Sequence, residues 1–324
     1  LACLAVAVAG YGFSRNIPVA KAVAPDIKIN WNIFSETTRN IRFLKTNRTV
    51  LNSVLGISWF WFFGSALTIQ MPAYTADILL GNESIVTALL VAFAVGVGLG
   101  SLLCERMSGR RIELGLVPFG SIGMSLFAVD LYFAQPEAAT TSVTSVGEFL
   151  SSAGNWRVLA DLALLGAFGG FYSVPLYALI QKRSDRRHLS RIIAANNIIN
   201  SLLIVAAAVI SIIILKSGFS IPQLFLFIAA LNAVVAIYIY SLLPEFLMRF
   251  LSWLVINLVY RIRPTGLEHI PKTGPAVVVC NHVSFMDPGA VLGLVDDARV
   301  DPLAESVCVF DQPELDGLVK DRAA

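Results

Sequence analysis

Apolar residues in this chain come in long unbroken blocks separated by short polar stretches. Six blocks fall near residues 50–74, 84–104, 114–134, 158–180, 192–215 and 222–243. Each is about twenty residues long, the length a helix needs to cross the hydrocarbon core of a bilayer. The pattern predicts six membrane-spanning helices. The first thirteen residues, LACLAVAVAGYGF, are apolar too but short for a span. They lack an initiator Met and a basic leader, so they read as the end of a preceding transmembrane helix rather than as a signal peptide.

After Pro244 the pattern changes. In EFLMRFLSWLVINLVYRIRP (245–264) the apolar run is short and includes Arg249, with basic residues at both ends and Trp253 within it. Residues 244–263 therefore read as a linker helix lying at the membrane interface rather than as a seventh span. Further on, a Gly-Pro turn precedes residues 276–280, which read as a short buried strand.

Composition agrees with the blocks. The 324 residues are 56% hydrophobic and only 14% charged, with a mean hydropathy of +0.72. A soluble domain is nearer half apolar and a quarter charged. Charge placement adds an orientation. With six spans threaded through the bilayer, all but Arg157 and Lys216 of the 24 basic residues fall on one side. Basic residues favour the cytoplasmic side, which puts residues 14–49 and the C-terminal tail in the cytoplasm. The net charge of +2 reflects this topology, and no basic–aromatic pattern suggests nucleic acid. Cys3, Cys104, Cys280 and Cys308 form no CxxC pair, so neither a disulfide frame nor a zinc or other metal site is expected.

Within the spans, glycine is dense at Gly96, Gly98 and Gly100 and again at Gly166, Gly169 and Gly170. Small residues in membrane helices permit close helix packing; lining a substrate path is the sharper alternative. Asp130 and Asp161 are expected near the outer ends of their helices, where hydration is cheap, so the sequence gives proton coupling no support. Asn196, Asn197, Asn200 and Gln70 could bond a polar headgroup or one another. Pro175 is expected to break the fourth span.

Two segments carry a family resemblance. The stretch GSLLCERMSGRR (100–111) has a helix-ending Gly100, then Glu105 and Arg106, then Gly109, Arg110 and Arg111. It resembles the cytoplasmic loop signature of the major facilitator superfamily, in which such residues latch helix ends during a rocking cycle. It departs from that signature in having Glu105 for Asp and one extra residue before Gly109. An ordinary basic loop is the plainer reading.

The second segment is VVVCNHVSFMDPG (277–289), where His282 leaves the strand and Asp287 lies on the following turn. A histidine can take a proton from a hydroxyl near neutral pH, and a carboxylate on the same turn can fix its tautomer. Together with the preceding GLEHIP, the N-H-x-S-x-x-D pattern resembles the first block of the glycerolipid acyltransferase family, over about residues 246–292. That resemblance implies His282 as general base on a lysolipid or glycerophosphate hydroxyl and Asp287 as its support. The acyl donor would be an acyl-ACP or acyl-CoA thioester, with no bound cofactor.

Taken together, residues 1–292 resemble a bacterial family in which a facilitator-type lysophospholipid transporter is fused to an acyltransferase of the acyl-ACP–phospholipid O-acyltransferase type. The resemblance implies a multi-pass protein of the bacterial inner membrane, with lysophospholipid, acyl carrier protein or coenzyme A thioester, and the lipid bilayer as partners. The expected fold is an all-α polytopic membrane protein, the second six-helix half of a major facilitator fold, followed by the start of an α/β acyltransferase domain. The expected divisions are 1–13 (end of a preceding helix), 14–49 (cytoplasmic inter-half loop), 50–243 (six-helix half), 244–263 (linker helix), 264–295 (start of the acyltransferase) and 296–324. That last segment has eight acids against three basic residues and lacks the family's later arginine and Phe-Pro-Glu-Gly blocks. It reads as an aberrant, frameshifted tail, with a divergent regulatory tail as the other option. Either way the chain as written is expected to complete neither activity. A membrane-anchored 1-acylglycerol-3-phosphate-type acyltransferase and a facilitator-type exporter of small solutes are the alternatives.

Overall fold

The computed structural model describes residues 2–18, 31–108, 114–134, 143, 145–185 and 187–242. The expected linker helix, acyltransferase segment and acidic tail lie outside these residues, as do His282, Asp287, Gly109, Arg110 and Arg111.

All regular elements among the described residues are helices: α1 (Ala2–Ser14), α2 (Ile33–Leu44), α3 (Arg48–Thr68), α4 (Met71–Asp77), α5 (Glu83–Met107), α6 (Leu116–Phe133), α7 (Val146–Ser151), α8 (Ala153–Arg183), α9 (Leu189–Lys216) and α10 (Ile221–Leu242). Six spans result, because α3 and α4 together form one of them, Arg48–Asp77. This is an all-α multi-pass membrane protein. Polar caps start the helices where the apolar blocks begin. Asn47 accepts from the Thr49 and Val50 amides, and Asn82 accepts from that of Ser84, each satisfying donors that a helix start leaves open. At the far end of α9, Gly218 takes the left-handed turn at φ 92° that a side chain would resist.

Several boundaries differ from the hydropathy reading. The first span is interrupted at Gln70, with Pro72 in the first turn of α4, where its missing amide costs nothing. Pro175 does not break its span; α8 passes through it without interruption. Nor does Gly100 end a helix, since α5 runs on to Met107. Within the expected loop 14–49, α2 forms behind the Asn32 cap. It packs on the start of α9, where the Phe43 ring stacks on His188 at 4.5 Å and lies under the Arg191 guanidinium at 5.4 Å.

The packing has an internal regularity. The spans divide into two consecutive triplets, α3(α4)–α5–α6 and α8–α9–α10. The first helix of each triplet packs against the second of the other, giving the pairs α3 with α9 and α8 with α5. The third helices, α6 and α10, pack on each other, and so do the first, α3 and α8. Three crossings per triplet mean that the two run in opposite directions through the membrane. The bundle is thus laid out as an inverted repeat. The α6–α8 contact is far more extensive than its counterpart α10–α3, so the repeat is approximate.

Candidate functional site

Three side-chain constellations stand out, each built where helices from different parts of the chain meet.

The α5–α8 seam is made by glycines on both sides. A Cβ at Gly96 would fall on the carbonyl of Ala163, and one at Gly100 on the carbonyl of Ala167. From the other helix, a Cβ at Gly166 would strike the Phe93 carbonyl, and one at Gly170 would come within 2.7 Å of the Ser101 amide. A four-residue spacing keeps each glycine pair on one helix face, so the backbones approach without side chains between them. Close packing, the plainer of the two sequence readings, is what these four glycines do. Gly98 has nothing within 4 Å of its Cβ position.

A polar patch joins α3, α8 and α9. The Asn200 amide donates to Ser58 Oγ at 2.7 Å and to the Asn196 carbonyl at 3.1 Å, and it accepts from Asn196 Nδ2 at 3.0 Å. It also accepts from Trp61 Nε1 at 3.3 Å, and that indole N–H is shared with Tyr177 Oη at 3.1 Å. Asn196 and Asn200 are buried while Trp61 is 41% exposed, so the patch presents an aromatic–polar edge outward from a buried amide base. The Asn196 Oδ1 acceptor has no partner. Asn197 is exposed beside it. A second node joins α3, α6 and α10: Asn232 accepts from Trp59 Nε1 at 2.7 Å and donates to Ser125 Oγ at 2.8 Å and to the Ser121 carbonyl at 3.1 Å.

The third constellation is acidic and sits at the end of the bundle opposite the Arg183–Arg191 loop. Arg157 on α8 forms a two-pronged ion pair with Asp130 on α6, its Nε reaching Oδ2 at 3.2 Å and an Nη donating to Oδ1. Asp161, one turn further along α8, is only 3% exposed. Its Oδ2 has no partner. The Tyr74 hydroxyl, fully buried on α4, is also unpartnered. Sequence reasoning expected hydrated acids at helix ends. Asp130 fits that, but Asp161 is two turns inside α8, roughly 12 Å from its start at 1.5 Å per residue.

At the basic end, Asp185 accepts the Arg187 amide at 2.9 Å and faces His188 Nδ1 at 3.3 Å. The Arg187 amide, followed by the His188 contact, holds its carboxyl below the usual carboxylate range.

Of the sequence-predicted site residues, Gly100 proves to be a packing glycine, while Glu105 and Arg106 occupy the last turn of α5. No group of three or more potential metal ligands occurs among the described residues. Sequence reasoning had no signal for the Trp61–Tyr177 contact, whose partners are far apart in the chain and both apolar by composition. No family profile, curated protein or solved structure matches the chain.

Proposed function

We propose that the chain is the second half of a facilitator-type lysophospholipid transporter of the bacterial inner membrane, continuing into a glycerolipid acyltransferase segment. The observation that carries the transporter reading is the inverted repeat. Two three-helix units of opposite direction, each giving its first helix to the other's second, are the arrangement nested within each six-helix half of facilitator transporters. The glycine seam and the polar patch suit a bundle that packs tightly on one side and offers polar groups on another. A single-chain amphiphile needs both an apolar wall and a polar stop for its headgroup. The exposed edge of Trp61, with Tyr177 and Asn197 nearby, supplies such a stop.

In an intact acyltransferase of this kind, the residues matching His282 and Asp287 would act together: the histidine takes the proton of the lysolipid hydroxyl, the aspartate steadies the imidazolium, and the oxygen attacks the acyl thioester while the imidazolium returns the proton to the departing thiolate. The resemblance of N-H-x-S-x-x-D supports these roles, and the distribution of basic residues along the sequence favours the cytoplasmic side for the tail, where such thioesters occur.

Binding can be tested without requiring a complete transport cycle. Lysophosphatidylethanolamine brominated on its acyl chain should quench the tryptophan fluorescence of the full chain saturably, and more strongly than diacyl phosphatidylethanolamine with the same label. Trp61→Phe should remove most of that difference. Equal quenching by the two lipids would count against the lysophospholipid reading. Selective displacement by a soluble solute would favour the exporter alternative.

A further inference from the structure

The Asp130–Arg157–Asp161 group holds two carboxyls for one guanidinium, and the guanidinium is committed in two-pronged fashion to Asp130. Asp161 is left buried with a carboxylate oxygen that nothing in the bundle satisfies. A charged carboxylate in such a place, without its own counterion, is costly. Among the described residues, the charged or titratable groups acting on Asp161 are Asp130 from α6 and Arg157 from its own helix, and the Tyr74 phenol of α4 feels its charge in turn. Each outer member of the group is partly open: the Arg157 and Asp130 side chains are 49% and 37% exposed. The arrangement is therefore a buried acid behind a solvent-facing ion pair.

We propose that Asp161 is a proton-binding site, taking up one proton from solvent past the Asp130–Arg157 pair and releasing it to solvent when that pair opens. In a transporter this is a coupling site, and the bound cation is the proton. The coupling role rests on the transport reading above, whereas the proton-binding role does not. The Asp130–Arg157 pair is the switch. When it is closed, Arg157 is bonded to Asp130 and Asp161 holds its proton; when Arg157 turns inward, it pairs with Asp161 and the proton leaves. Because α6 and α8 pack along their lengths, a small shift between these two helices suffices to exchange the partners.

Infrared difference spectroscopy of the full chain in liposomes, titrated through the neutral range, tests this directly. The wild type should show the carbonyl stretch of one protonated carboxylic acid, shifted in deuterium oxide. Asp161→Asn should remove it. Asp130→Asn should remove it as well, for a different reason: the freed Arg157 then pairs with Asp161 and ionises it. Arg157→Gln should instead add protonated signal. This pattern separates a proton site from a merely structural carboxylate, and Asp130→Asn keeps the test decisive should Asp161→Asn fail to fold. A protonated band that survives Asp130→Asn, or a spectrum with carboxylate only at every pH, overturns the proposal; so does a carboxylate signal responding to sodium but not to pH. Lysophosphatidylethanolamine movement indifferent to a pH gradient, with the band present, would overturn the coupling role. Absence of any lysolipid binding, with the band present, would overturn the transport reading and leave the proton site standing.

Discussion

Gly96 on α5 and Ala163 on α8 stand so close that a methyl group on the glycine would fall on the alanine's carbonyl oxygen. The obstacle is backbone, which cannot swing aside like a side chain. Gly96→Ala must therefore push the two helices apart along a seam that Gly100, Gly166 and Gly170 also share. Overpacking of this kind costs about 1–3 kcal/mol, and the upper end is expected here. Thermal or denaturant unfolding in detergent measures it. Gly98→Ala, whose added methyl meets nothing within 4 Å, should stay within about 0.5 kcal/mol of wild type.

Asn232 ties three helices through one amide, accepting from Trp59 and donating to Ser121 and Ser125. Asn232→Leu removes the amide and leaves the indole N–H without its acceptor. The expected loss is about 1–2 kcal/mol, at the high end for a polar contact between membrane helices. A double-mutant cycle with Trp59→Phe should return a positive coupling energy. Additive single effects would mean that the indole finds another acceptor.

Asp185 makes a pH-dependent turn between α8 and α9. Its folded-state acidity is strengthened by the Arg187 amide and then by His188, so the charged form favours the ordered turn. The resulting stabilisation is present above the unfolded carboxylate range and disappears as pH falls through the lower folded value. Hydrogen exchange at the Arg187 amide should accordingly stay slow at neutral pH and speed up only in acid beyond the normal aspartate range. Asp185→Ala should make that amide exchange quickly at every pH, after correction for intrinsic exchange.

Cys104 is 2% exposed and packs among Leu116 and Phe171. In a variant whose other three cysteines are serine, maleimide labelling should be slow until the bundle unfolds. The Gly96→Ala variant should label faster than wild type, because α5 carries both residues. Rapid labelling of the parent would contradict the burial of Cys104 beside Leu116 and Phe171 and the packing of α5 against α8.

Much of the architecture was legible from hydropathy, because crossing a bilayer imposes a length that sequence displays directly. All six spans appear where the apolar blocks lie. What the blocks could not reveal was which face of each span meets protein. The most apolar span, α9, has only 17% of its apolar window buried, while the Pro- and Gly-containing α8 has 61%. Lipid is as apolar as leucine, so hydropathy does not distinguish a lipid-facing side from a packed one.

The candidate sites divide along the same line. The glycine clusters could be seen in the sequence, yet only the crossing of α5 and α8 separates Gly96 and Gly100, which bear on backbone, from Gly98, which bears on nothing. Asp130 and Asp161 each lie near one end of an apolar block in the sequence. They differ because Arg157 pairs with Asp130, whereas Asp161 lies two turns inside α8 and is buried. Sequence alone determined that this is a polytopic membrane protein, since transfer free energies belong to single residues. The tertiary structure alone decided which acid is buried, which amides bind each other and which glycines carry a helix contact. Those properties belong to pairs of residues that only folding brings together.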